Sequence, residues 1–172
     1  MNILITGANG YLGQGIVKNI LDDGHQVIAT DLDTNNVDNR AKKIDCDLFS
    51  IENPYEYFSQ PDMVLHLAWR NGFVHYSESH IADLPKHYRF LKLMIDAGIK
   101  KICVMGTMHE IGFFEGSINE NTPCHPMSLY GIGKDALRNC VAMMTNRTST
   151  TWQWLRGYYI VGNSEFGSSI FS

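Results

Sequence analysis

A strand, a glycine turn and a helix in immediate succession limit a chain to very few folds, and this one opens with all three. Met1 to Ile5 is an apolar run of strand length, and Thr6-Gly7-Ala8-Asn9-Gly10-Tyr11-Leu12-Gly13 follows it directly. The spacing is Gly-x-x-Gly-x-x-Gly. In such a turn Gly7 permits the tight reversal, Gly10 lets a dinucleotide's pyrophosphate approach the backbone, and Gly13 lets the helix pack close on the strand. The helix N-terminus adds free N–H groups and a partial positive charge. Glycine turns also serve plain structure. The nucleotide reading comes from the turn's place between an apolar strand and a helix with Leu12, Ile16, Val17, Ile20 and Leu21 on one face. Gly7, Asn9, Gly10, Tyr11 and Leu12 are the cofactor candidates here.

Gly24 is placed to end that helix in a left-handed turn. Gln26 to Thr30 reads as the second strand, with Asp31 at its end. An acidic residue about 20 positions past the glycines can accept hydrogen bonds from the adenosine ribose and repel a 2′-phosphate. With no arginine before Arg40, this predicts NAD over NADP. The alternative is an ordinary strand-end carboxylate in a polar turn. Ile44 to Leu48 reads as a third strand. Asp47 and the Leu48 N–H are placed to meet adenine, although spacing alone does not decide it. Met63 to Leu67 is a continuous apolar run, as in a central parallel strand. Ala68 leaves room beneath a cofactor, and His66 reads as a packed strand histidine.

The bulk properties narrow the function. The chain has 172 residues and a net charge of −4. That size suits one domain, 1–172, burying roughly 70% of its unfolded surface. The acidic balance disfavours nucleic acid and anionic membranes as partners, and the apolar runs are too short to span a bilayer. No secretory segment precedes the first strand, so a cytoplasmic location is expected. Cys46, Cys103, Cys124 and Cys140 are scattered and read as reduced thiols. His75, His80 and His87 lack the spacing of a zinc site, so no metal is expected.

The second half carries reactive groups. A helix is predicted from near Ile81 to Ala97, with Leu84, Tyr88, Leu91, Met94 and Ile95 on its apolar side. Pro85 allows a later start at Leu84 or Pro85. Lys101 to Met105 reads as a strand, and Thr107 follows at its carboxyl end, where open α/β sheets place ligands. Ser128 opens a helix to about Met144, in which Tyr130 and Lys134 share a face. An ammonium about 4 Å from the phenol, at an effective dielectric of about 20, would pull the tyrosine pKa from about 10 toward about 7. The bland alternative is a helix tyrosine beside a solvated lysine. A sixth strand is predicted over Thr151 to Leu155.

Taken in order, the glycine turn, the strand-end Asp31, the strand-end Thr107 and Tyr130-x-x-x-Lys134 resemble the extended short-chain dehydrogenase/reductases, the NAD-dependent epimerase/dehydratase family. The resemblance runs from Met1 to about Gly162. It includes Asp47-Leu48 at the adenine, the His66-Leu67-Ala68 strand end, and Leu155-Arg156 with Tyr158 and Gly162 passing the nicotinamide. It implies a doubly wound parallel sheet, the NAD(P)-binding Rossmann fold. It also implies NAD as cofactor, a nucleotide-sugar substrate, and Leu67, Ala68 and Tyr158 among the cofactor contacts. By the same resemblance Tyr130 is the acid/base, Lys134 binds the nicotinamide ribose and lowers the tyrosine pKa, and Thr107 holds the reacting hydroxyl. A homodimer through the helices containing Tyr88 and Leu137 is implied as well.

The chain departs from the family pattern in informative places. Met105-Gly106 replaces the usual Ser-Ser. Met108-His109 replaces the Asp-Glu of the 4,6-dehydratases, which argues against water loss unless His109 serves as the acid. Ile111 stands for an aromatic residue, Asp83 for a helix Asn, and Tyr159 for an Asn that touches the sugar nucleotide. The family's substrate-binding C-terminal region is mostly missing, and truncation is the expectation. An epimerase is the first expectation; a 4-keto-sugar reductase and a non-catalytic NAD-binding module, a sensor or scaffold, are the alternatives.

Overall fold

A computed structural model describes residues 1–160; Gly162, the last residue of the resemblance, lies outside the described residues. The strands are β1 (Asn2–Thr6), β2 (Gln26–Asp31), β3 (Lys42–Asp45), β4 (Met63–His66), β5 (Lys101–Thr107) and β6 (Thr151–Gly157). The helices are α1 (Tyr11–Asp22), α2 (Pro54–Tyr57), α3 (Ser79–Ala82), α4 (Leu84–Asp96) and α5 (Leu129–Thr145), with 3₁₀ turns at Leu48–Ser50 and Met108–Glu110. All strand pairs are parallel, in the order β3-β2-β1-β4-β5-β6. The chain runs outward from β1 to β3 and then returns to the other side of β1 with β4. That reversal opens a crevice at the carboxyl ends of β1 and β4, where such sheets bind ligands.

Strand alternation divides the core between the two faces of the sheet. Leu4, Val64 and Ile102 point to one face and meet Leu91, Met94, Leu137 and Val141 of α4 and α5. Ile3, Ile5, Leu65 and Cys103 point to the other and meet Val17 of α1. The expected doubly wound parallel sheet is therefore the fold.

Four elements differ from the sequence reading by more than one residue. The third strand is Lys42–Asp45 rather than Ile44 to Leu48. Pairing with β2 sets its register, from Ile28 opposite Lys42 to Asp31 opposite Asp45. Asp45 then accepts from the Thr34 N–H at 3.0 Å, and Asp47 caps the 3₁₀ turn by accepting from the Phe49 N–H at 3.0 Å. The long helix is divided into α3 and α4, with Pro85 in the first turn of α4, where its missing N–H costs nothing. Its buried stripe is His87, Phe90, Leu91, Met94 and Ile95, while Tyr88, expected inside, is 38% exposed. β5 and β6 each continue two residues further than expected, to Thr107 and Gly157.

Candidate active site

Two clefts meet at the carboxyl edge of the sheet, sharing Gly7, Gly10, Leu67 and Trp69. The first, of about 440 Å³, is lined by Asp31, Asp47, Leu48, Ala68 and His87 among others. The second, of about 500 Å³, is lined by Tyr11, Leu12, Thr107, His109, Tyr130, Lys134 and Tyr158. Among the sequence-derived site residues Asn9 alone lies behind the walls. Its N–H donates to Asp31 Oδ2 at 3.0 Å, and its Oδ1 accepts from the Asn36 N–H at 3.2 Å, which ties the turn to the end of β2.

The turn fits a pyrophosphate. Gly7 has φ +68°, and a Cβ there would lie 2.6 Å from the Ala68 nitrogen. At Gly13 a Cβ would collide with the Gly7 and Ala8 carbonyl oxygens, so the glycine sets how closely α1 approaches β1. A Cβ on Gly10 meets only the Gly7 carbonyl oxygen, at 3.3 Å. No side chain caps α1, so its first N–H groups are free for an anion. The Tyr11 hydroxyl is buried and has no partner among the described residues, a polar group a ligand would satisfy. Asp31 accepts from the Asn9 and Leu32 N–H groups, the latter at 2.8 Å, which fixes its carboxylate at the mouth of the first cleft.

The reacting end is built around α5. Ser128 caps the helix by accepting from the Gly131 N–H at 3.1 Å. A side chain at Gly131 would strike the His109 carbonyl oxygen, and one at Gly133 would come within 2.7 Å of that of His80. The first turns of α5 therefore sit directly on the Met108–Glu110 turn and on α3. Tyr130 lies among four rings: His75 is parallel to it at 5.7 Å between centroids, with His80 at 5.1 Å, His109 at 5.6 Å and Trp69 at 6.3 Å.

Among the described residues Lys134 makes no hydrogen bond to Tyr130. Its Nζ donates to the Met105 carbonyl oxygen at 2.7 Å and lies 4.1 Å from the centre of the Trp69 ring. Burial pushes the lysine pKa down to about 7. Burial also raises the Tyr130 phenol, with the Thr107 hydroxyl opposing. An i, i+4 spacing fixes a helix face, but not where a four-carbon stem lays its charge. His109 is lowered by burial and then by His75, whose ring centre is 4.1 Å away, so it is neutral and a poor acid at neutral pH.

Sequence reasoning missed Glu110 and Trp69. Glu110 is fully buried. It accepts from the Thr107 N–H at 2.8 Å, from Trp154 Nε1 at 2.9 Å and from Arg156 Nε at 2.8 Å. Thr107 and Glu110 form a capping box, and Thr-x-x-Glu was the available signal. A Cβ on Gly106 would collide with Trp154 and Glu110, which explains why glycine stands there instead of the family's serine. Trp69 stacks on His87 at 4.4 Å and donates to His80 Nδ1 at 3.0 Å. Nothing in its local sequence marked it. Among the described residues no His/Cys/Asp/Glu cluster is arranged for a metal ion, and no helix is long and apolar enough to cross a membrane.

The model of the NAD dependent epimerase/dehydratase family matches residues 3–171. The chain is 43% identical over 178 aligned positions to dTDP-6-deoxy-L-talose 4-dehydrogenase (NAD(+)) of Aggregatibacter actinomycetemcomitans, covering all of this chain and 66% of the relative. It is 28% identical to dTDP-glucose 4,6-dehydratase of Haemophilus influenzae, over 82% of this chain and 50% of the relative. A UDP-glucose 4-epimerase of Thermotoga maritima, solved with UDP-glucose, superposes with a TM-score of 0.79 at 25% identity, over 91% of this chain and 55% of that one. The chain thus spans half to two thirds of the length of these relatives. It belongs to the NAD dependent epimerase/dehydratase family.

Proposed function

We propose that the protein is an NAD-dependent oxidoreductase acting at C4 of a nucleotide-linked 6-deoxyhexose, interconverting the alcohol and the 4-keto sugar. The observation that carries this reading is the second cleft, which Thr107, Tyr130 and Lys134 from β5 and α5 line together with Tyr11 and Leu12 of α1. NAD, when bound, supplies the hydride acceptor, with the turn and the α1 N-terminus holding its pyrophosphate and Asp31 its ribose. Thr107 orients the sugar oxygen. Tyr130 passes the proton: with its pKa raised by burial, the phenol is protonated at neutral pH and suited to donate to a keto oxygen. The 43% identical 4-dehydrogenase supports this chemistry. The neutral His109 and Met108 leave no carboxylate at those two positions for removing water.

Net epimerisation is the second reading, favoured by the likeness to the UDP-glucose 4-epimerase. Accumulation of NADH with a dTDP-sugar alcohol identifies the dehydrogenase, and isomer formation without it identifies the epimerase. Tyr130→Phe should cut turnover by about 10²- to 10⁴-fold while sparing NAD binding. Unchanged turnover would remove Tyr130 from the mechanism. Saturable NAD binding without turnover of any nucleotide-sugar would leave the non-catalytic module. A homodimer through α4 and α5 belongs to the same proposal.

A further inference from the structure

Thr6, His66 and His87 form a buried line from β1 through β4 to α4. Thr6 Oγ1 lies 2.8 Å from His66 Nδ1, and His66 Nε2 lies 2.9 Å from His87 Nδ1. None of the three is more than 3% exposed. Burial keeps both imidazoles neutral, holding His66 well below its ordinary range and His87 at about 3. A neutral imidazole donates from one nitrogen and accepts at the other, so the direction of the line is set at one end. Thr6 Oγ1 already accepts from the Ala68 N–H at 3.3 Å. Its own proton needs an acceptor, and among the described residues His66 Nδ1 is the one in reach. Thr6 therefore donates to His66 Nδ1, and His66 donates from Nε2 to His87 Nδ1. The remaining proton of His87 must then sit on Nε2.

That N–H has no hydrogen-bond partner among the described residues, and His87 lines the first cleft beside Leu48, Phe49 and Ala68. Its ring is held in place, stacked on Trp69 and met edge-on by Phe49 at 4.7 Å. We propose that the Thr6–His66–His87 line locks His87 as an Nε2–H donor to an acceptor on the adenosine half of the dinucleotide. The inference rests on the dinucleotide reading of that cleft. It adds a residue of α4 to binding candidates that otherwise lie in the glycine turn, at the ends of β2 and β4 and at Asp47 and Leu48.

The test combines nitrogen-15 NMR of the imidazoles in the full chain with calorimetric titration of ADP-ribose and of nicotinamide mononucleotide. Wild type should show both His66 and His87 as Nε2–H tautomers. His87→Phe keeps the ring but loses the donor, and should weaken ADP-ribose about 3- to 10-fold with no effect on the mononucleotide. His87→Gln, whose amide can accept from His66 and donate into the cleft, should recover most of the loss. Thr6→Val removes the proton that sets the direction and should give mixed tautomers. An Nδ1–H tautomer at His87 overturns the proposal, as does unchanged ADP-ribose affinity in folded His87→Phe. If His87→Phe does not fold, the wild-type tautomers and His87→Gln decide. A wild type that fails to bind ADP-ribose overturns the dinucleotide reading itself, and the proposal with it.

Discussion

The glycine turn that the two clefts share and the pocket around Tyr130 are built in opposite ways. Around the turn the surface is backbone: glycines, strand ends and the uncapped first N–H groups of α1. Around Tyr130 it is side chains, among them a buried lysine, a buried glutamate on the wall behind, and rings from three separate segments. The first surface depends on what is absent from each position. The second depends on which hydrogen bonds each buried polar group keeps. The turn should therefore be sensitive to size, and the reacting cleft to charge and hydrogen-bond removal.

The largest effect expected from that contrast is at Gly13. Gly13→Val drives a branched side chain into the Gly7 and Ala8 carbonyl oxygens, which cannot yield without moving β1. The loss should be about 4 kcal/mol or more in denaturant unfolding, with NAD binding lost. A milder loss would mean that α1 can slide and that the turn is less rigid than its geometry implies. Next comes Glu110→Ala. It strands the Arg156 guanidinium and the Trp154 and Thr107 N–H groups, so unfolding should be easier by about 3 kcal/mol. Glu110→Gln retains part of the hydrogen bonding and should lose less. If the two variants were equally stable, the carboxylate charge rather than its bonds would be what matters.

The same contrast explains what the sequence could reveal. The turn was legible because its meaning lies within eight consecutive residues, and the structure sets Gly7 and Gly13 where the spacing requires. Six strands were anticipated, and the family resemblance implied the doubly wound parallel sheet, while the strand order came from the structure. The third strand was misplaced because its ends are set by pairing with Ile28 to Asp31 and by Asp45 reaching Thr34, not by local hydrophobicity. Glu110 had a local signal in its capping box with Thr107, but its bonds to Trp154 and Arg156, 44 and 46 residues away, had none. The Thr6–His66–His87 line spans three elements, and no local pattern contains it. Tyr130 and Lys134 were found as a pair, but the lysine's partner is the Met105 carbonyl oxygen, 29 residues upstream.

Lys134 allows a test in which removing a functional group stabilises the protein. Its folded pKa, about 7, lies below the 10.5 of an ordinary lysine. Between those values the unfolded chain binds the proton and the folded chain does not, so stability rises with pH across that window. Below about pH 7 the folded protein carries the full cost of a buried ammonium, partly offset by Met105 and Trp69. Lys134→Met should therefore gain roughly 1–3 kcal/mol at pH 6 and much less at pH 9, while turnover falls. An equal gain at both pH values would show that packing, not the charge, is responsible.

The smallest effect concerns Asp31, a charge held beside the backbone-built turn. Both carboxylate oxygens accept from backbone, Oδ2 from the Asn9 N–H and Oδ1 from the Leu32 N–H, so Asp31→Asn removes the negative charge and also leaves one of these N–H groups without an acceptor. The amide oxygen can still accept from a ribose hydroxyl. What disappears for the cofactor is repulsion of a 2′-phosphate, so NADP should gain relative to NAD. The preference for NAD should narrow by about tenfold, equivalent to about 1.4 kcal/mol, in parallel calorimetric titrations of the two cofactors. A preference that survives intact would place the discrimination in the shape of the loop after β2 rather than in charge. It would then be a backbone property like the rest of the turn.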